Sequence, residues 1–169
     1  MDRLNEPLQV KKPALIFPVS TGDLFGLEPS QTKMILDVIQ QASWHTFQPL
    51  TKQPQNAKAF NPFPQNVWFG VSINSQADVW RLDELKKIEA PVKFGYFEPL
   101  YSDIEYDLSF LDWIVIGAQT RPARQPQPEW VQDILDQADQ SRIPVLTKSN
   151  LTWPDKFQQF PMGHARTAV

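Results

Sequence analysis

The sequence contains no cysteine, and this absence removes several kinds of site at once. Disulfides, thiolate metal ligands and thiol nucleophiles all require that residue. No apolar stretch is long enough to cross a bilayer, and residues 1–12 lack the apolar segment of a secretory signal. The sequence therefore predicts a cytoplasmic protein that makes no membrane contact.

Basic residues are sparse and scattered rather than clustered. The formal net charge is -3, and no dense block of lysine or arginine occurs. Because sequence-independent binding to nucleic acid depends on neutralising many phosphates, such binding is not expected. Glycine is also scarce, at 6 residues against 16 prolines, which favours stiff loops over flexible linkers.

Six short runs rich in β-branched and aromatic residues are predicted to be strands. They are residues 14–20, 46–51, 67–74, 92–98, 112–117 and 144–148. Amphipathic helices are predicted to begin near Pro29, Ser75 and Pro128, with Ser30 as the N-cap of the first. The strands are spaced like βα units, which implies parallel pairing. The fold class predicted is α/β, a partial (open) parallel βα barrel of about six strands that is TIM-barrel-like, with a flat doubly wound sheet as the alternative.

The chain divides into three predicted parts. Residues 1–13 form an extended N-terminal lead-in, residues 14–150 the partial βα barrel, and residues 151–169 a C-terminal tail without a clear period. Within the barrel, residues 99–111 are predicted to be a structured loop covering part of the sheet. Residues 121–128 are predicted to be a proline-rich loop.

Polar residues follow nearly every predicted strand. Parallel α/β sheets bind ligands at the carboxyl ends of their strands, so these polar ends predict a site. The candidate ligand-binding residues are Asp23, Lys52, Ser72, Asn74, Glu98, Gln119 and Lys148.

The charged candidates have both a functional and a structural interpretation. Lys52 and Lys148 each follow a threonine at a strand end, where a lysine can hold an anionic ligand or simply enter solvent. Glu98 lies between Phe97 and Pro99. A partly desolvated carboxylate there could act as a base, a metal ligand or a ribose-binding acid, or be satisfied by a neighbouring group.

The remaining candidates are neutral residues and one aspartate in a turn. Asp23 either belongs to the site or caps the next segment. Ser72 and Asn74 alternate with apolar neighbours and so share one strand face, where they bind a ligand or pack at the rim. Gln119 lies in a small-residue turn after Gly117, which would allow the backbone to approach a ligand closely.

No metal site is predicted, and no catalytic residue can be assigned. His45 stands at the beginning of a strand, and His164 lies in the tail. Neither histidine has a partner at a metal-ligand spacing, so both are interpreted as structural or exposed.

An ordered set of short motifs resembles a known family. The set comprises Asp23-Leu24-Phe25, Leu50-Thr51-Lys52 with Pro54, Asn66-Val67-Trp68, Gly70-Val71-Ser72, Phe97-Glu98-Pro99-Leu100, Asp112-Trp113-Ile114-Val115-Ile116-Gly117 and Pro128-Glu129-Trp130-Val131. Together they resemble the phage-type "gene product" family of unknown function that is related to radical-SAM enzymes. Asp23, Lys52, Glu98 and Lys148 match the family pattern, whereas Gln119 replaces a family glutamate and Gln53 a family arginine.

The resemblance implies a partial βα barrel whose cysteine-rich loop holds a [4Fe–4S] cluster that binds S-adenosylmethionine. The cluster segment is missing here, and a cluster requires thiolate ligands that this sequence lacks. The chain alone is therefore expected to hold no cofactor and to be unable to run radical-SAM chemistry unaided. An S-adenosylmethionine-like ligand remains compatible with the resemblance.

Three functions follow as alternatives. The first is a barrel domain that binds a small anionic ligand, as a non-catalytic remnant of a radical-SAM-like protein. The second is the substrate-binding half of such an enzyme, completed by a partner chain that carries the cluster. The third is an interaction protein that forms homo-oligomers or hetero-complexes through open barrel edges.

Overall fold

The computed structural model describes residues 3–161, whose centre is a parallel β-sheet. The strands are β1 (Leu15–Ile16), β2 (Thr46–Phe47), β3 (Leu50–Thr51), β4 (Trp68–Ser72), β5 (Val92–Phe97), β6 (Trp113–Ile116), β7 (Gln119–Thr120), β8 (Ala123–Arg124) and β9 (Val145–Thr147). The α-helices are α1 (Glu6–Gln9), α2 (Pro29–Gln41), α3 (Pro54–Ala57), α4 (Trp80–Lys86) and α5 (Pro128–Ser141).

The main sheet has five strands in the order β3-β4-β5-β6-β9, and every neighbouring pair is parallel. β1 and β2 form a separate parallel pair, which a parallel bridge between Phe47 and Val67 connects to the start of β4. The order follows the chain without the reversal typical of a doubly wound sheet. The α/β class and the parallel pairing are confirmed. The strands within residues 3–161 do not close on themselves, so a TIM-like barrel is not confirmed.

The two faces of the sheet carry different cores because side chains alternate along each strand. Phe69 and Val71 of β4, and Ile73 directly after it, belong to the larger core, which also contains buried residues of α2, α4 and α5. The opposite face carries a smaller aromatic cluster, whose buried members are Trp68, Phe94, Trp113 and Val115.

Two helix starts show how local sequence sets the element bounds. At the predicted helix start near Ser75, Ser75 and Asp78 form a capping box ahead of α4, in which each side chain accepts from the other's backbone. Ser30 is not a cap, contrary to the prediction. α2 begins at Pro29, whose fixed backbone angle suits the first helical position, so Ser30 already lies inside the first turn.

The predicted first strand and proline-rich loop need correction. β1 contains only residues 15–16, because Pro18 provides no amide donor and Val19 has a positive φ of 55°. Part of the loop at residues 121–128 is ordered as a hairpin, since β7 pairs antiparallel with β8. Within the predicted lead-in, residues 6–9 form the short helix α1.

The segment after β9 returns to the sheet and covers its outer edge. The amide of Thr147 donates to the Phe157 carbonyl at 2.9 Å, and the amide of Gln159 donates to the Val145 carbonyl at 3.0 Å. An antiparallel bridge joins Leu146 to Gln158. In the described part of the chain, no helix is long and apolar enough to span a bilayer.

Candidate functional site

Three residues stand side by side immediately beyond the paired ends of β5, β6 and β9. Phe97, Ile116 and Thr147 form the last paired row of these strands. The next row is therefore Glu98, Gly117 and Lys148, at the carboxyl ends of three neighbouring strands. Backbone bonds hold the row in place, since the Gly117 amide donates to Phe97 at 3.0 Å and the Lys148 amide donates to Ile116 at 2.9 Å.

The central position of this row has no side chain, and Glu98 occupies the space. A Cβ atom at Gly117 would lie 2.8 Å from both Cδ and Oε1 of Glu98. The Glu98 carboxylate therefore crosses β6 directly above the glycine. It reaches Lys148 on the far strand, with an Nζ to Oε2 distance of 2.5 Å.

Tyr96 and Asn150 complete a hydrogen-bonded group, hereafter the Glu98 cluster, which consists of Tyr96, Glu98, Lys148 and Asn150. The Tyr96 hydroxyl donates to Glu98 Oε2 at 2.6 Å and accepts from Lys148 Nζ at 2.8 Å. Asn150 Nδ2 donates to Glu98 Oε1 at 2.7 Å and to the Ala118 carbonyl at 2.6 Å. Both carboxylate oxygens of Glu98 thus accept hydrogen bonds from side chains of the cluster.

The electrostatics of the cluster favour a neutral tyrosine and a charged lysine. The Glu98 side chain is 12% exposed and the Lys148 side chain 36% exposed. Burial, followed by the hydrogen bond to Glu98, raises the pKa of Tyr96 to about 12. Burial alone would lower the pKa of Lys148, but its bonds to Glu98 and Tyr96 outweigh that effect and raise it. Tyr96 is therefore a proton donor near neutral pH, not a base.

One N–H of the Lys148 ammonium group has no acceptor among the described residues. An ammonium group has three donors. One is directed at Glu98 and one at Tyr96. No third acceptor from residues 3–161 bonds to this group, and the side chain is only half-buried. The bonds to Glu98 and Tyr96 thus fix the orientation of the Lys148 ammonium group and leave part of it accessible to solvent.

Lys52 and Ser72 lie on the same sheet face as the Glu98 cluster. Because Thr51 pairs with Val71, the next residue of that strand, Lys52, lies beside Ser72. Ser72 in turn pairs with Tyr96 of the cluster. Ser72 is 5% exposed, whereas Lys52 is exposed and has no ion-pair partner among the described residues.

Asp23 has a structural role at the edge of this face. Its Oδ1 accepts from the Phe25 amide at 3.0 Å and from Thr51 Oγ1 at 2.7 Å. Its Oδ2 accepts from the Lys52 amide at 2.8 Å. The carboxylate thus caps the short 3₁₀ turn at residues 24–26 and fixes it to the end of β3, as the capping interpretation expects.

Asn74 and Gln119 lie near the site without touching the carboxylate of Glu98. Asn74 Nδ2 donates to the Pro99 carbonyl at 2.8 Å, which fixes the chain directly after Glu98. Gln119 begins β7 and donates to the Arg121 carbonyl at 3.3 Å. Both residues shape the loops around the site.

The histidines and the cavities lie elsewhere. His45 is buried, accepting from the Ala14 amide at 3.1 Å and donating to the Pro7 carbonyl at 3.0 Å, so its role is structural. His164 is outside the described residues. Across residues 3–161, no group of histidine and acidic side chains could hold a metal ion. Cavities of about 630 Å³ beside α5 and about 790 Å³ beside α1 are not lined by the Glu98 cluster.

Sequence reasoning missed Tyr96 and Asn150 as site residues. A signal for Tyr96 was present, because it precedes Glu98 by two positions and alternation puts both on one face. Asn150 follows Lys148 by two positions beyond the strand, where alternation no longer fixes direction. Its contact with Ala118 depends on the turn after β6.

The comparisons with known proteins give a family but no activity. No curated protein and no solved structure matches the chain. The cluster implied by the resemblance does not fit these residues, since the chain has no thiolate to ligate iron. The description of the matching family mentions neither phage nor radical-SAM proteins, so both links stay predictions. The family model of a protein of unknown function, DUF5131, matches residues 1–165, and the chain belongs to that family.

Proposed function

We propose that the carboxyl edge of the sheet binds a small ligand carrying an anionic group, with Lys148 as its main contact. The observation that supports this is the Glu98 side chain lying across Gly117 to hold Lys148. Placing a carboxylate and an ammonium where burial is substantial carries a desolvation cost. A fixed cation with one unused N–H is a binding group oriented in advance of its ligand.

Lys52 and Ser72 extend the proposed site across β3 and β4. Lys52 contributes a cation that forms no ion pair within residues 3–161, and Ser72 contributes a hydroxyl on the same face. Glu98 compensates Lys148, whereas the Asp23 carboxylate bonds to the backbone amide of Lys52 and leaves the Lys52 ammonium group without an ion pair among the described residues. The neutral Tyr96 hydroxyl orients the lysine without adding a negative charge.

A purely structural ion pair that joins β5 to β9 is the alternative, and ligand binding distinguishes the two. Thermal unfolding is measured with malonate, pyrophosphate and S-adenosylmethionine, the last because the family resemblance suggests it. A ligand at 100 times its Kd stabilises the protein by about 2.7 kcal/mol, which raises Tm by roughly 5–11 °C for this size.

The variants Lys148→Gln and Lys52→Gln should each reduce the ligand-induced rise in Tm, relative to their own ligand-free proteins. Lys33→Gln is the matched control, because Lys33 forms an exposed pair with Asp37 on α2. A rise in Tm that persists in both site variants refutes the proposal, as does the absence of any rise for the wild type.

The larger setting we propose is an open, barrel-like sheet related to the radical-SAM fold. Its support is the parallel strand order that follows the chain. In that setting a separate cysteine-bearing chain would provide any cluster, and anaerobic copurification that yields no iron-bearing partner contradicts this part. Edge pairing with another chain is less favoured at β9, because Phe157 and Gln159 already occupy its outer edge.

A further inference from the structure

The β7–β8 hairpin stands directly beside the Glu98 cluster. β7 begins at Gln119, the residue after Ala118, whose carbonyl accepts from Asn150. In the hairpin Gln119 pairs with Arg124 and Thr120 pairs with Ala123. The hairpin therefore rises from the carboxyl end of β6, between the ends of β5 and β9.

Side-chain bonds fix the base of the hairpin to the same asparagine that holds Glu98. Gln125 Nε2 donates to the Asn150 carbonyl at 2.9 Å, and Gln125 Oε1 accepts from the Thr152 amide at 2.8 Å. Asn150 Nδ2 in turn donates to Glu98. Arg124 directly precedes Gln125, which bonds to Asn150, and it pairs across the hairpin with Gln119, which follows Ala118 in the chain.

Both arginines of the hairpin are uncompensated. Arg121 lies in the turn and Arg124 in β8, and both are exposed. The ion pairs found within residues 3–161 include neither of them, whereas the guanidinium of Arg81 pairs with Asp78 at 2.8 Å. The acidic loop of residues 99–111 is tied to the opposite side, where Tyr106 donates to Asp83 on α4 at 2.5 Å.

We propose that Arg121 and Arg124 are phosphate-binding residues of this site, and that its ligand carries a phosphate or pyrophosphate group. The inference rests on the proposed anion site and specifies its ligand. The two arginines have no carboxylate partner among the described residues, which suits a ligand with more than one negative charge. Guanidinium groups bind phosphate oxygens through paired, planar hydrogen bonds. The hairpin would thus add phosphate contacts to the one that Lys148 provides.

The test compares inorganic pyrophosphate with malonate, a small dicarboxylate, by calorimetric titration. Wild type should bind pyrophosphate more tightly. Arg121→Gln and Arg124→Gln together should weaken pyrophosphate binding at least about tenfold and change malonate binding less. Arg142→Gln is the control, because Arg142 is an exposed arginine between α5 and the beginning of β9, at the amino ends of the strands. It should leave both affinities unchanged.

The outcomes separate this inference from the proposed function. Unchanged pyrophosphate affinity in the double arginine variant overturns the inference, as does wild-type binding of pyrophosphate no tighter than malonate. If Lys148→Gln still weakens malonate binding in that case, the proposed anion site stands without the hairpin. Failure of the wild type to bind either probe overturns both proposals.

Discussion

Gly117→Ala adds a single methyl group at the point where the Glu98 side chain crosses β6. The new Cβ atom would lie 2.8 Å from the Cδ and Oε1 atoms of Glu98, so the carboxylate has to move. Moving it breaks the bonds from Tyr96, Lys148 and Asn150. The backbone of Gly117 is not in the left-handed region, so the expected effect is steric.

The magnitude follows from two contributions. Overpacking costs about 1–3 kcal/mol, and a hydrogen bond to a charged group contributes about 1.5–3 kcal/mol. Because the Lys148 side chain is 36% exposed, water replaces part of the loss. We therefore expect the free energy of unfolding to fall by about 3 kcal/mol. This corresponds to a fall in Tm of roughly 6–12 °C, measured by circular dichroism.

A second background isolates the contact. In Glu98→Ala the space above Gly117 is open, so adding Gly117→Ala should cost less than about 1 kcal/mol and can even stabilise through the unfolded chain. Gly22→Ala is the matched control, because the nearest atom to its added Cβ, Val19 Cγ1, lies at 3.4 Å. An equal cost of Gly117→Ala in both backgrounds would refute the claim that the carboxylate lies above this glycine.

Two further predictions concern stability. Because burial raises the pKa of Tyr96 from 10.0 to about 12, the protonated hydroxyl stabilises the fold below pH 10, and this contribution is lost as the pH rises from 10 to 12. In denaturant titrations, Tyr96→Phe should reduce by about 1–2 kcal/mol the fall in unfolding free energy between pH 10 and pH 12. An unchanged dependence of the unfolding free energy on pH would contradict the raised pKa of Tyr96. Asp23→Ala should cost about 2 kcal/mol and speed exchange of the Lys52 amide, whereas Asp37→Ala should cost less than about 0.5 kcal/mol. Slow exchange retained in Asp23→Ala would show that the turn is held by other contacts.

The strands could be predicted because their residue patterns are local. Residues 67–74 and 112–117 form nearly continuous apolar runs, as expected for strands buried on both faces. The corresponding β4 and β6 are fully buried. The hairpin at β7–β8 could not be read in the same way, since its strands contain two residues each and its prolines resemble those of an irregular loop.

The candidate site could be predicted in position but not in contacts. The sequence predicts Glu98 and Lys148 at strand ends, but their ion pair depends on β6 lying between β5 and β9 and on the register of these three strands. Gly117 leaves space for the Glu98 side chain only because β6 lies between these two strands. The sequence could not choose between the two interpretations of Asp23, because the choice depends on the distant Thr51 and Lys52.

The most direct test of the account is an amide nuclear magnetic resonance titration of the full chain with inorganic pyrophosphate. We expect saturable shifts at Gly117, Ala118 and Lys148, the backbone positions around the Glu98 carboxylate where it crosses β6. Shifts confined to the cavity beside α5, or no shifts in this titration and in a parallel titration with malonate while the protein remains folded, would contradict a ligand site at this edge of the sheet.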